Sequence, residues 1–201
     1  MKKKLLATAL VLATAVGLTS CGQISSAATI GKTEISVSTL QKNVDQILAD
    51  RKKDGNLSTS LDVGAALNRS QLRFLLISYI LEQVAAEKKI PVTAADQSKV
   101  RSILLGQIGG EAKLPHALVG AELTAAEFPE YIRGYIIQTK IAQVAKQMNI
   151  ANTNGEATQA LVVAYTSKVG VTINPRYGVW DKANANIVDA TSTKSPVTTT
   201  K

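Results

Sequence analysis

Cysteine is nearly absent from this chain of 201 residues: Cys21 is the only one, so no intramolecular disulfide can form. Histidine is equally scarce, and a lone His116 without a second His or a carboxylate cluster is poor material for a metal centre. The sequence has no G-x-G-x-x-G, P-loop or G-x-S-x-G element, which removes the usual signatures of nucleotide binding and of the hydrolase elbow. "GQIGGEAK" (106–113) is rich in glycine but follows no strand pattern, and it marks a flexible turn. No Arg-rich run or aromatic-interleaved basic patch occurs, so nucleic acid is not an expected partner. No apolar run reaches the roughly 20 residues that cross a bilayer as a helix. Aromatics are few: five Tyr, two Phe and one Trp.

The N-terminus carries the clearest signal. Lys2, Lys3 and Lys4 precede a short apolar run (5–18) that ends in "LTSC" (18–21). A basic start, a short apolar core and small residues before a cut mark an export signal. "LTSC" followed by Gly22 resembles the lipobox of bacterial lipoproteins. That resemblance implies removal of residues 1–20, a diacylglycerol on the Cys21 thiol and acylation of the new N-terminus, with the protein held on the extracytoplasmic face of the cell membrane. The alternative is a secreted protein whose thiol stays unmodified. Without residues 1–20, 20 basic residues face 15 acidic ones and the net charge is +5, not +8. This modest excess allows a minor attraction to anionic lipid or wall polymer.

Past the signal, "GQISSAA" (22–28) has the small, polar composition of a tether, giving a lipid tether over 21–28. "TIGKTEIS" (29–36) suits a strand, a tight turn and a second strand. Ser38 and Gln41 have capping-box spacing ahead of a stripe of Leu40, Val44, Ile47 and Leu48, and the helix should stop near "KKDGN" (52–56). "LDVGAALNRS" (61–70) is a weak lead-in to "QLRFLLISYILEQVAAEKK" (71–89), apolar on most faces as a central bundle helix is. "IPVT" (90–93) breaks it. Thr93 and Asp96 restart a helix whose Val100, Ile103, Leu104 and Ile108 should face inward. "GG" (109–110) and "LPHA" (114–117) read as a loop, with His116 as an ordinary loop residue five positions after Glu111.

Thr124 and Glu127 cap the next helix, which tolerates Pro129 in its first turn and offers Phe128, Ile132, Tyr135, Ile136 and Val144 as a face. "NTNG" (152–155) ends that element. "EATQALVVAYTSKVG" (156–170) forms a last helix closed by Gly170. In "VTINPRYGVWD" (171–181), Val171 to Ile173 are extended and Asn174 before Pro175 stays so. Tyr177 and Trp180 would cap the helical core. Residues 182–201 have little to bury and read as a disordered polar tail. Strands at both ends of the domain need partners, and pairing "TIGKTEIS" with "VTINPRYG" seals a mainly α domain (29–181) with a small β-sheet.

This order of elements resembles the N-terminal chaperone module of exported SurA- and PrsA-type foldases. The resemblance is carried by "ATIGKTEIS", the Leu-rich helix 72–86 running into "AAEKKIPVTAADQSKV" (85–100), and "INPRYGVWD". It implies a holdase that shields unfolded or exported polypeptides. Many members insert a parvulin prolyl isomerase domain before the final helix. Here about six residues separate Asn149 from Glu156, and the chain lacks the paired His and the Cys that parvulin sites draw on. Function would then rest on binding alone, with no catalytic residues, metal or cofactor. Client-binding residues remain unassigned, because Phe74, Tyr79, Tyr131 and Tyr135 at helical spacing fit a core as well as a groove. Two further hypotheses stand beside the chaperone: a structural lipoprotein holding one dedicated envelope partner, and a wall-active hydrolase that would need polar groups converging around His116.

Overall fold

The computed structural model describes residues 25–55 and 61–190. Cys21 and the signal lie outside the described residues, as do residues 191–201. Among the described residues the chain forms six α-helices and two small antiparallel sheets: β1 (Ser26–Ile30), β2 (Thr33–Ser36), α1 (Val37–Asp54), α2 (Gly64–Glu87), α3 (Ala94–Ile108), α4 (Leu114–Gly120), α5 (Phe128–Gln147), α6 (Glu156–Val169), β3 (Val171–Ile173), β4 (Val179–Asp181) and β5 (Asn186–Val188).

The sheet that joins the two ends has the order β2-β1-β3. Gly31, at φ 57, turns β1 back onto β2, and β3 pairs antiparallel with the other edge of β1 through Ala28↔Ile173, Thr29↔Thr172 and Ile30↔Val171. Asn174 extends the clasp: its backbone N–H donates to the Ala27 carbonyl and its Nδ2 to the Ser26 carbonyl, both at 2.9 Å. The expected pairing of the terminal strands is therefore present. The expected tether is shorter, because β1 begins at Ser26, and Ser26, Ala27 and Ala28 are buried.

Helix α2 is the centre of the bundle. Leu67, Leu72, Leu76 and Ile80 are wholly shielded from solvent, and burying each such side chain contributes about 1.5–3 kcal/mol. The weak lead-in joins the same helix, which starts at Gly64. Helix α1 packs Leu40, Val44 and Ile47 against α2. Its cap is Ser36, whose Oγ accepts from the Thr39 N–H at 3.0 Å, and not the Ser38–Gln41 pair; Leu48 falls on the exposed side. Both later capping boxes form, Thr93 with Asp96 and Thr124 with Glu127.

Three segments differ from the sequence reading. Helix α3 buries none of its residues fully: Val100 and Leu104 are half-covered against a small second cluster, and Ile103 points outward. It lies on the outside of the bundle, so only part of its stripe finds a partner. The supposed loop at 109–117 contains a 3-10 turn (Glu111–Lys113) and the start of α4, whose Leu118 and Val119 are buried. The closing segment divides at Gly178, where β4 leaves the first sheet and pairs with β5 through Val179↔Val188, Trp180↔Ile187 and Asp181↔Asn186. The polar tail is consequently folded as far as Val188, with Ala185 and Ile187 buried beside Tyr177 and Trp180 in the main core. Asp181 shapes the turn by accepting from the Ala183 and Asn184 N–H groups.

Candidate functional site

Four helix ends share one device. A residue one or two positions past the helix takes a left-handed conformation (Lys89 at φ 55, Gly109 at φ 90, Glu122 at φ 57, Asn149 at φ 55) and the next N–H reaches back to a carbonyl five residues earlier. This is the Schellman closure, which returns the following residue onto the helix it has just left. Ile90 donates to Ala85 at 2.8 Å and Ile150 to Ala145 at 2.9 Å, so both isoleucines fold back against their helix ends.

Ile90 and Ile150 become two walls of an apolar cleft of about 390 Å3 between the end of α2, the last turns of α5 and the first turns of α6. Ile141 and Ala145, both buried, belong to its floor. Val144 and Met148 continue the same stripe of α5 but stand 50% and 64% exposed at the cleft. Ala157 and Ala160 keep the opposite wall low. Asn152 fixes that wall by accepting from the Ala157 N–H at 2.8 Å. Glu156 bonds Asn154, and backbone N–H donors lower its carboxyl below the ordinary range.

The only charged side chain of the lining is Lys88. It pairs with Glu87 at 3.2 Å, and Glu87 also meets Lys168 at 3.3 Å. The Lys88 hydrogen bond, followed by that of Lys168, holds the Glu87 carboxyl below its usual value. These exposed pairs contribute little to stability. Apart from Lys88 the lining of the cleft is apolar, so contact with it would remove apolar surface from water. Its volume falls within the roughly 300–1,000 Å3 of ligand pockets.

The residues singled out from sequence are scattered. His116 is exposed on α4 and its Nδ1 lies 2.9 Å from Asp54, while Glu111 binds Arg101 at 2.6 Å. The structure does not bring these two together into one site. Among the described residues no three His, Cys, Asp or Glu side chains gather as a metal site, and no helix is long and apolar enough to cross a membrane. Tyr79 is half-buried with its OH 2.7 Å from Thr33 Oγ1, a core role. Burial, and then the neighbouring Tyr79, raises the Tyr165 phenol. Tyr131 and Tyr135 are exposed on α5. Sequence reasoning named Val144 as part of a face but missed Met148, Ile150 and Ile90 as walls. Their signal was an apolar stripe running past the end of α5, with isoleucines just beyond two helix stops.

No protein-family model matches this chain, and neither a curated protein nor a solved structure matches it.

Proposed function

We propose that the protein is a SurA-like holdase chaperone or assembly factor, lipid-anchored through Cys21 on the extracytoplasmic face of the membrane, which shields segments of exported polypeptides and catalyses no prolyl isomerisation. The observation that carries this reading is the open apolar cleft between α2, α5 and α6, with Val144, Met148 and Ile150 uncovered at its mouth. Exposed apolar surface rimmed by charge is what a chain-shielding protein uses. The helical domain clasped by its terminal strands supports the SurA N-terminal classification, and Cys21 supplies the anchor.

The test is aggregation of an unfolded client followed by light scattering in the presence of residues 22–201. The wild-type protein is expected to suppress scattering, and Val144→Asp with Met148→Asp to abolish that effect while leaving the circular dichroism spectrum unchanged. Inertness of the wild type toward every unfolded client would sink the chaperone reading. The small size of the cleft favours a second reading, a lipoprotein that holds one envelope partner. Crosslinking from position 148 separates the two: many unrelated clients support the holdase, one stoichiometric partner the scaffold.

A further inference from the structure

The first strand starts close to Cys21. Residues 22–24 alone separate Cys21 from Ser25, whose carbonyl accepts from the Val37 N–H at 2.7 Å. From Ser26 onward the chain is the central strand of the sheet β2-β1-β3, and Ser26, Ala27 and Ala28 are buried. A strand bonded along both edges cannot peel away to lengthen a tether without opening the sheet. Four Cα–Cα steps therefore limit the reach from Cys21 to Ser25 to about 14 Å. Helix α2, by comparison, spans about 30 Å between Asn68 and its cap Lys88.

The surface beside Ser25 is built from three elements. Asn174 sets it up: its Nδ2 donates to the Ser26 carbonyl at 2.9 Å and its Oδ1 accepts from the Arg176 N–H at 3.2 Å, which puts Arg176 next to the start of β1. Arg176 then borders a shallow recess of about 250 Å3 with Val37 and Gln41 of α1 and Ala65 and Asn68 of α2. It is the one charged residue of that lining. Its guanidinium stands 5.8 Å from the centre of the Tyr177 ring, is exposed, and makes no hydrogen bond or ion pair among the described residues. The two amides of the recess are already engaged, Gln41 donating to Asp45 and Asn68 to the Gly64 carbonyl. The end of the fold nearest Cys21 thus presents a cation with open donors. Lys88, in the wall of the apolar cleft, marks the other end of α2.

We infer that the face around Ser25 and Arg176 lies on the bilayer, with Arg176 against the phosphates of anionic phospholipid headgroups, and that the apolar cleft is thereby carried on the side away from the membrane. The inference rests on the Cys21 anchor of the proposed function and makes no use of the holdase reading. A guanidinium suits a headgroup phosphate because its planar fork donates two parallel hydrogen bonds, and the negative surface of an anionic leaflet attracts it further. A reach of about 14 Å also keeps the anchor's own acyl chains out of the cleft, which stays free for a partner arriving from the aqueous side.

Photocrosslinking to lipid tests the orientation. The protein is expressed from the full chain with a benzophenone side chain at position 38, beside Ser25, or at position 148, at the mouth of the cleft. It is then purified and reconstituted in phosphatidylcholine vesicles with or without phosphatidylglycerol. Lipid adducts are expected to form from position 38 well in excess of those from position 148. With phosphatidylglycerol present, Arg176→Gln should lower the ratio of the two yields about fivefold, Arg176→Lys should retain it, and leaving out phosphatidylglycerol should lower it as far as Arg176→Gln does. Equal yields from the two positions, an excess from position 148, or a ratio indifferent to both Arg176→Gln and phosphatidylglycerol would each overturn the assigned face while leaving the anchor in place. The intact mass of the same preparation reports the anchor separately: a Cys21 without diacylglycerol would overturn the anchor and, with it, the face.

Discussion

Glu122 joins three parts of the chain through one residue. It stands at φ 57, a conformation few residues other than glycine adopt. Its carboxylate accepts from Arg51 Nη2 at 2.7 Å, from the Asp62 N–H and from Ser70 Oγ, while its carbonyl accepts from Gln71. Arg51 is only 6% exposed and gives its other terminal nitrogen to the Asp62 carbonyl. One carboxylate thus ties the end of α1 and the start of α2 to the turn after α4. Removing one member of a buried pair strands the other charge, which costs about 3–5 kcal/mol. Glu122→Ala is expected to destabilise the fold by that amount, read as a shift of the urea midpoint with the slope unchanged. A loss of less than about 1 kcal/mol would show that water reaches Arg51 freely. None of this was legible beforehand, because charged residues 71 positions apart carry no periodic signal.

At the level of elements, α3 is the weakly held helix. It buries no residue fully and is fastened instead by polar ties. Lys140 on α5 bonds Asp96 Oδ2 at 2.8 Å and the Pro91 carbonyl at 2.7 Å, while Thr93 donates to the same carboxylate through both backbone and side chain. The Lys140 bond first, then Thr93, lowers the Asp96 pKa from 3.8 to about 2. A carboxylate depressed in the folded state stabilises it fully above its unfolded value and loses that contribution as pH falls through the folded one. The contribution is thus complete above about pH 4 and drains away between pH 3.8 and about 2. Lys140→Met is expected to flatten this acid limb and raise amide exchange in α3 selectively. An unchanged acid limb would mean that Lys140 does not hold the carboxylate in solution. The Thr93–Asp96 and Thr124–Glu127 boxes were readable because a capping pair is local in sequence. The inward face assigned to α3 was not, since a stripe shows that a helix has an apolar side but not that a neighbour covers it.

At the level of the whole molecule, β1 is the shared strand and the two chain ends close around it. The second hairpin adds to that closure. Trp180 and Ile187 are paired across β4 and β5 and buried with Tyr177 in the main core. Ending the chain at Asp181 removes β5, and with it the cover over Trp180. The truncated protein is expected to melt several degrees lower, with the Trp180 fluorescence red-shifted in the native state; ending it at Ala190 should change neither. Equal melting of both truncations would return residues 182–190 to the status of a tail.

The sequence by itself determined the helical bundle, the central place of α2, two capping boxes and the pairing of the terminal strands. Each of these rests on local spacing or on apolar composition too strong to be left in water. Only the tertiary structure decided where the bundle stays open. Val144 and Met148 belong to the same stripe as buried Ile141 and Ala145, and they differ in whether the rest of the fold covers them. The same holds for Ile187, which sits in a stretch poor in apolar residues and is buried because Gly178 turns the chain toward it. A residue's side on its own helix or strand is written in the spacing; what packs against that side depends on segments far along the chain.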